Sequence, residues 1–206
     1  MSLVTYSGIY IALQSKNRSI KLPNNVNTES LNIVLAGATR AAKEIHSFCD
    51  GLSLLNYNKS KQITIHLLGP YDFSHNNVEY LGFKSHGELE KLLQNYSLGL
   101  VAMSFADSDG DLVATSFPSK VWLYLVNGIV PIIYAPRNSG VAELVKKFKL
   151  GVVISDKEEI GRIFTGSDLA VIYQECMVNF SLYETSLLES FASYRKQLKL
   201  KPRGII

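Results

Sequence analysis

The stretch Ser116 to Val145, SFPSKVWLYLVNGIVPIIYAPRNSGVAELV, leaves few options for the fold around it. Pro118 suits the first turn of a helix, where its absent N–H costs nothing. Val121, Trp122, Leu125 and Val126 follow as an apolar stripe at helical spacing. Gly128 closes that helix, and Val130 to Tyr134 reads as a short buried strand. Asn138 and Ser139 are N-cap candidates for the next helix.

The same alternation runs through the rest of the chain. Leu31 to Gly37, LNIVLAG, has a buried-strand pattern and leads into a helix from Arg40 to about Asn56, with Thr39 as a plausible N-cap. Gln62 to Leu68 is a second strand, and Val78 to Phe83 a third. Ser85 caps a helix through Asn95, with Glu88 placed as in a capping box. Leu98 to Met103 is a fourth buried strand, followed by a polar, acidic loop from Ser104 to Thr115 that runs straight into the Pro118 junction. Gly151 to Ile154 is the last strand, and Lys157 to Phe164, Ser167 to Val178 and Leu182 to Leu198 are helical. The last of these carries Leu187, Leu188, Phe191 and Tyr194 on one side. Strands alternating with helices predict a doubly wound α/β fold, a parallel sheet of about six strands with helices on both faces.

Charge placement sets two junctions apart. Lys120 lies in the first turn of its helix, and Arg40 and Lys43 lie in the first turn of theirs. A cation there opposes the helix dipole by about 0.3–1 kcal/mol. A phosphate at the same place reverses that sign, because helix N-termini bind anions. A surface lysine with its head in water is the other reading of Lys120. In an open parallel sheet such junctions gather at the carboxyl edge of the strands. Two of them with the same charge pattern predict a phosphorylated ligand between them.

Composition narrows the classes. The 206 residues are 47% hydrophobic, enough for a core. A net charge of +3, with dispersed charges and no helix-turn-helix pattern, argues against nucleic acid. No apolar run reaches membrane-spanning length, and no N-terminal segment resembles a signal peptide. Cys49 and Cys176 read as reduced thiols packed as small hydrophobes, and His46, His66, His75 and His86 have no metal-ligand spacing. GATRAA after the first strand is not the GxGxxG of a dinucleotide oxidoreductase.

Several segments together resemble the C-terminal, donor-binding domain of retaining GT-B glycosyltransferases. KLPNNVNTES, Lys21 to Ser30, resembles the segment before that domain's first strand. LNIVLAGATRAAKE resembles its strand and GRxxxxKG loop. Lys43 holds the lysine position, Ala38 occupies the arginine position, and Arg40 is the candidate to replace it from two residues on. NVEYLGF with ELEKLLQNYSLGLV, and FPSKVWLYLVNGIVPIIYA with SGVAELV, match in order and spacing. The resemblance implies one Rossmann-like half of a GT-B fold over residues 31–166. Residues 1–30 then form the tail of an absent acceptor domain, and 167–206 C-terminal helices. It also implies a cytoplasmic chain in polysaccharide or glycoconjugate synthesis, at the inner membrane face only through the absent half.

The activity so implied is transfer of a sugar from a nucleotide-diphosphate sugar, UDP-linked by family frequency, to a carbohydrate or lipid-linked acceptor hydroxyl with retained configuration. It needs no separate cofactor and no metal. The catalytic cations would be Arg40, Lys43 and Lys120, acting on the departing diphosphate. Gly37, Thr39, Thr115, Ser116, Phe117 and Ser119 would hold the donor around them, with Tyr124 one turn from Lys120 on the same helix face. Phe83 and Lys84 are candidates to border the base, with a core position the other reading of Phe83. The family's two glutamates are replaced by Thr115 and Leu123, which raises a second reading: a non-catalytic nucleotide-sugar-binding scaffold. Asp107, Asp109 and Asp111 either meet sugar hydroxyls or form a solvated acidic loop.

Overall fold

A computed structural model describes residues 30–38, 41–57, 62–70, 73–166 and 169–197. Thr39, Arg40, the N-terminal segment through residue 29 and the tail from 198 lie outside the described residues. Six strands form one parallel sheet: β1 (Ser30–Ala36), β2 (Gln62–Leu68), β3 (Val78–Tyr80), β4 (Leu98–Ala102), β5 (Val130–Tyr134) and β6 (Val152–Ile154). Their order across the sheet is β3-β2-β1-β4-β5-β6. The helices are α1 (Ala42–Tyr57), α2 (His86–Leu93), α3 (Gly110–Thr115), α4 (Ser119–Val126), α5 (Gly140–Phe148), α6 (Lys157–Gly166) and α7 (Leu169–Gln197). Crossovers from β1 run one way across the sheet and those from β4 the other. Right-handed connections therefore place their helices on opposite faces. α1 packs on α6, while α5 packs on α7.

The central strands are apolar because both faces are covered. Ile33, Leu35, Ile63, Ile65, Leu67, Leu100 and the whole of β5 are buried. Pro131 is tolerated inside β5 because pairing with β6 begins only at Ile132 and Val152, so no β6 acceptor awaits its missing N–H. α4 ends as its sequence requires. Gly128 has φ +72, its N–H reaches the Leu125 carbonyl at 3.0 Å, and the Ile129 N–H reaches the Tyr124 carbonyl at 2.9 Å. Ser139, fully buried, caps α5 by accepting the Ala142 N–H at 3.3 Å.

At the middle of the sheet one side chain takes over from the ladder. β1 pairs with β2 along its whole length, but with β4 only at Ile33–Leu98 and Val34–Gly99. The Tyr124 hydroxyl fills the gap beyond. It accepts the Ala36 N–H at 3.0 Å and lies 3.3 Å from the Val34 carbonyl and 3.2 Å from that of Leu100. The ring rests on Gly99, where an added Cβ would come within 2.6 Å of it. Tyr124 is fully buried. Its expected place against a ligand is therefore corrected: it is a core residue that joins the two halves of the sheet.

Four element boundaries also differ from expectation. β3 has three residues, not six; it is an edge strand, and Gly82 at φ +78 turns the chain away. The acidic segment before Pro118 is not all loop: a 3-10 turn (Asp107–Asp109) leads into α3. The two expected C-terminal helices are one helix of 29 residues. No glycine or proline interrupts it near Asn179, and its buried stripe of Leu169, Tyr173, Cys176, Met177 and Phe180 carries through the expected break. Pro118 stands one position earlier than expected, as the N-cap of α4. Cys49 and Cys176 are free and buried, and burial pushes both thiols up to about 12.

Two outcomes follow from this packing. Tyr124→Phe removes the hydroxyl and strands the Ala36 N–H, so chemical denaturation should show a loss of about 1–3 kcal/mol; an unchanged midpoint would contradict the bridging role. His66 in β2 lies 2.7 Å from the Tyr96 hydroxyl through Nδ1 and 3.3 Å from Glu79 through Nε2. Burial, more than the opposing pull of Glu79, lowers its pKa below 6.5. A histidine whose folded pKa lies below its unfolded value contributes stability that is full above pH 6.5 and lost as pH falls through the window below it. Denaturation midpoints measured from pH 7.5 to 5 should therefore fall less in His66→Gln than in the wild type.

Candidate functional site

The two junctions singled out by charge meet at one cavity. β1 ends at Ala36, and Gly37 makes the turn at φ +72, its N–H bonded to the Leu68 carbonyl at 2.7 Å. Any other residue there would meet left-handed strain. Ala38 and Ala41 continue toward α1 and line a cavity of about 230 Å³. From the other side Lys120, in the first turn of α4, lines the same cavity and donates to the Ala38 carbonyl. Burial lowers the Lys120 pKa. Lys120, half-buried, links the β1–α1 turn to the start of α4.

The cavity opens at the carboxyl ends of β1 and β4. These are the neighbouring strands from which the crossovers run in opposite directions, the crevice where ligands bind in sheets of this kind. Its outer wall is the segment after β4: Met103, Ser104, Asp109, Leu112, Val113 and Ser116. That segment is held at two points. The Glu44 carboxylate, in the first turn of α1, accepts the Phe105 N–H at 3.0 Å. Gly140, at the start of α5, lies so close to α3 that a Cβ would come within 2.5 Å of the Ala114 carbonyl.

The other expected site residues divide. Lys43 is exposed in the first turn of α1, and Ser119 is exposed at the start of α4. Ser116 lines the cavity. Thr115 is exposed, but its hydroxyl bonds back to the Asp111 carbonyl at 2.8 Å, inside its own helix. Phe117 packs on Trp122, with ring centroids 5.5 Å apart, and belongs to the aromatic cluster beneath α7 rather than to the cavity. Leu123 packs against the core. Phe83 is 77% exposed, which removes the core reading, and Lys84 beside it is half-buried; both follow β3 at the same sheet edge. Asp109 faces the cavity whereas Asp111 is exposed, so the acidic segment is neither wholly solvated nor wholly in the site. Sequence reasoning missed Glu44 and the wall residues Met103, Leu112 and Val113. Their signal was the switch in crossover direction at β4, which marks its exit as one wall of the crevice. Among the described residues no group of three or more His, Cys, Asp or Glu is placed to hold a metal ion. No described helix is long and apolar enough to cross a membrane.

The arrangement suits a small anionic group. It offers a half-buried ammonium, two helix starts with their dipoles, and a partly apolar wall that strengthens electrostatic contacts.

Comparison with known proteins agrees with the fold. The fold resembles that of α,α-trehalose 6-phosphate synthase from Burkholderia multivorans (TM-score 0.55, 10% identity, 95% of this chain and 49% of that one). It also resembles WaaG, a glycosyltransferase involved in lipopolysaccharide biosynthesis (TM-score 0.50, 13% identity, 84% and 45%). A third likeness is to the structure of accessory secretory protein 1, 2 and 3 in Streptococcus pneumoniae (TM-score 0.51, 11% identity, 87% and 37%). The chain spans about half the length of the first two. No individually curated protein matches it in sequence. Residues 48–191 match the family of glucosyltransferase 3-like C-terminal domains, as expected for one half of a GT-B fold. With more than half of its residues matched, from α1 into α7, the chain belongs to the glucosyltransferase 3-like C-terminal domain family.

Proposed function

We propose that this chain is the donor-binding half of a glycosyltransferase and holds the diphosphate of a nucleotide sugar, UDP-linked, in the crevice between β1 and β4. The observation that carries the reading is Lys120, a half-buried lysine that lines the cavity between two helix starts. In such a transfer the bond from the anomeric carbon to the diphosphate breaks and the acceptor hydroxyl bonds to that carbon. Negative charge then grows on the departing β-phosphate. Cations and N–H groups already aimed at it stabilise the transition state more than the bound donor. Lys120 supplies that charge from α4, and Lys43 and Arg40 supply it from the β1–α1 side. Ser119, with the N–H groups at the start of α4, completes the cradle. Gly37 keeps the β1 turn free of a side chain there.

The nucleobase lies along the carboxyl edge toward β3, where the exposed Phe83 offers a stacking surface and Lys84 a polar one. The acceptor, a carbohydrate or lipid-linked hydroxyl, is bound by a domain outside this chain, which spans about half the length of its structural relatives. The same proposal places the chain in the cytoplasm, in a pathway that builds polysaccharide or glycoconjugate, with any membrane contact made by the other half.

Calorimetric titration with UDP, GDP and ADP tests the site. One nucleoside diphosphate should bind, and Lys120→Ala should weaken it at least tenfold, the scale expected for a lost charge-assisted contact of about 1.5–3 kcal/mol. Lys43→Ala should weaken it less, because that side chain is exposed. At 100 times its Kd the ligand should stabilise the fold by about 2.7 kcal/mol. Equal affinity in the wild type and Lys120→Ala would remove Lys120 from the site.

A further inference from the structure

Most of the cavity lining is apolar. Lys120, Asp109, Ser104 and Ser116 are its polar side chains, and the remaining lining residues are aliphatic, Met103 or Pro118. Leu112 stands out among them. It lines the cavity and is still 57% exposed. The buried residue of α3 is its neighbour Val113, so α3 seats itself on the body without Leu112. Met103, at the exit of β4, is half-buried in the same wall. An aliphatic side chain left in water at the rim of a cavity is stabilised by any apolar group that covers it.

Sheet order decides which part of a ligand meets this wall. β3 and β4 lie on opposite sides of β1. With the base on the β3 side and the diphosphate between β1 and β4, the sugar beyond the β-phosphate extends onto the segment after β4. A hexose with a hydroxyl on every free carbon matches that wall poorly. Hydroxyls set against Met103, Leu112 and Val113 lose water and gain no partner from these side chains. A methyl group in the same place covers Leu112 and has no hydrogen bond to lose.

We infer that the donor sugar carries a methyl-bearing substituent, the methyl of a 6-deoxyhexose or of an acetamido group, seated on Met103, Leu112 and Val113. The inference rests on the donor site proposed above and adds the class of sugar it takes. Selectivity arises twice over, from the apolar area the methyl removes from water and from the hydroxyl a plain hexose would leave unpaired.

Calorimetry with UDP, UDP-glucose, UDP-6-deoxyglucose and UDP-N-acetylglucosamine tests this. At least one methyl-bearing conjugate should bind the wild-type chain about tenfold or more tighter than UDP-glucose, the scale of one methylene-sized group in a hydrophobic pocket. Which of the two does so distinguishes a 6-deoxy from an acetamido group. Leu112→Ser should abolish most of that preference and leave the affinity for UDP itself unchanged, and Met103→Gln repeats the test from the β4 side. Leu182→Ser, at a leucine of α7 that is 65% exposed and does not line the cavity, should keep the wild-type preference. Thermal midpoints close to the wild type confirm that the variants fold. UDP binding with a preference below tenfold for both conjugates would overturn the inference and leave the donor site intact. So would a preference that survives in both Leu112→Ser and Met103→Gln, or one lost equally in Leu182→Ser. Failure of the wild type to bind UDP or any conjugate would overturn the donor site and the inference with it.

Discussion

Two halves of a parallel sheet meet along β1 and β4, and their backbone ladder stops after two residue pairs. The Tyr124 hydroxyl supplies what the ladder does not, joining the Ala36 N–H to the carbonyls of Val34 and Leu100. An unpaired peptide group buried there would destabilise the sheet at its centre. The crevice lies beyond it, at the carboxyl ends of the same two strands, where the crossovers run in opposite directions. Gly99 is part of the device, since any side chain on it would displace the ring. The centre of the sheet is thus joined by one contact between a helix and two strands.

Lys120 stands one helical turn before Tyr124, toward the sheet edge. The two side chains share a face of α4 but differ in depth: the tyrosine lies under the sheet, and the lysine emerges where the strands end. A helix that anchors its second turn in the core can hold its first turn rigidly at the surface. The cavity wall opposite is anchored by Glu44 and by Gly140, so each side of the crevice is positioned by residues that do not line it. This is the preorganisation that an electrostatic site requires, because charges held in place need not reorganise as the ligand's charge moves.

How much of this was legible in the chain follows from the range of each interaction. β5 and the Gly128 helix stop were readable because their causes are local: an apolar run bounded by a glycine at positive φ. The positively charged junctions stand out in the sequence, and their meeting at one cavity follows from the alternation of strand and helix. Tyr124 was misplaced because spacing alone shows a helix face but not its depth; that is set by Gly99, on a strand formed much earlier in the chain. Phe83 could not be assigned from sequence because its exposure depends on where β3 stops, and a short edge strand has little periodicity to measure. The single long α7 was divided by its polar residues near Asn179, although helix continuity there is decided by burial of Phe180 against the core. Asp109 and Asp111 were indistinguishable in sequence. The turn that separates them, with one toward the cavity and one toward solvent, comes from the 3-10 segment packed under α3.

A crystal structure of the chain grown with UDP is the most direct test of the central claim. The account predicts the diphosphate in the crevice between the Gly37 turn and the start of α4, with the Lys120 ammonium moved from the Ala38 carbonyl to a phosphate oxygen and the Tyr124 hydroxyl still bridging β1 and β4. A diphosphate bound elsewhere on the chain, with Lys120 still on Ala38, would contradict it.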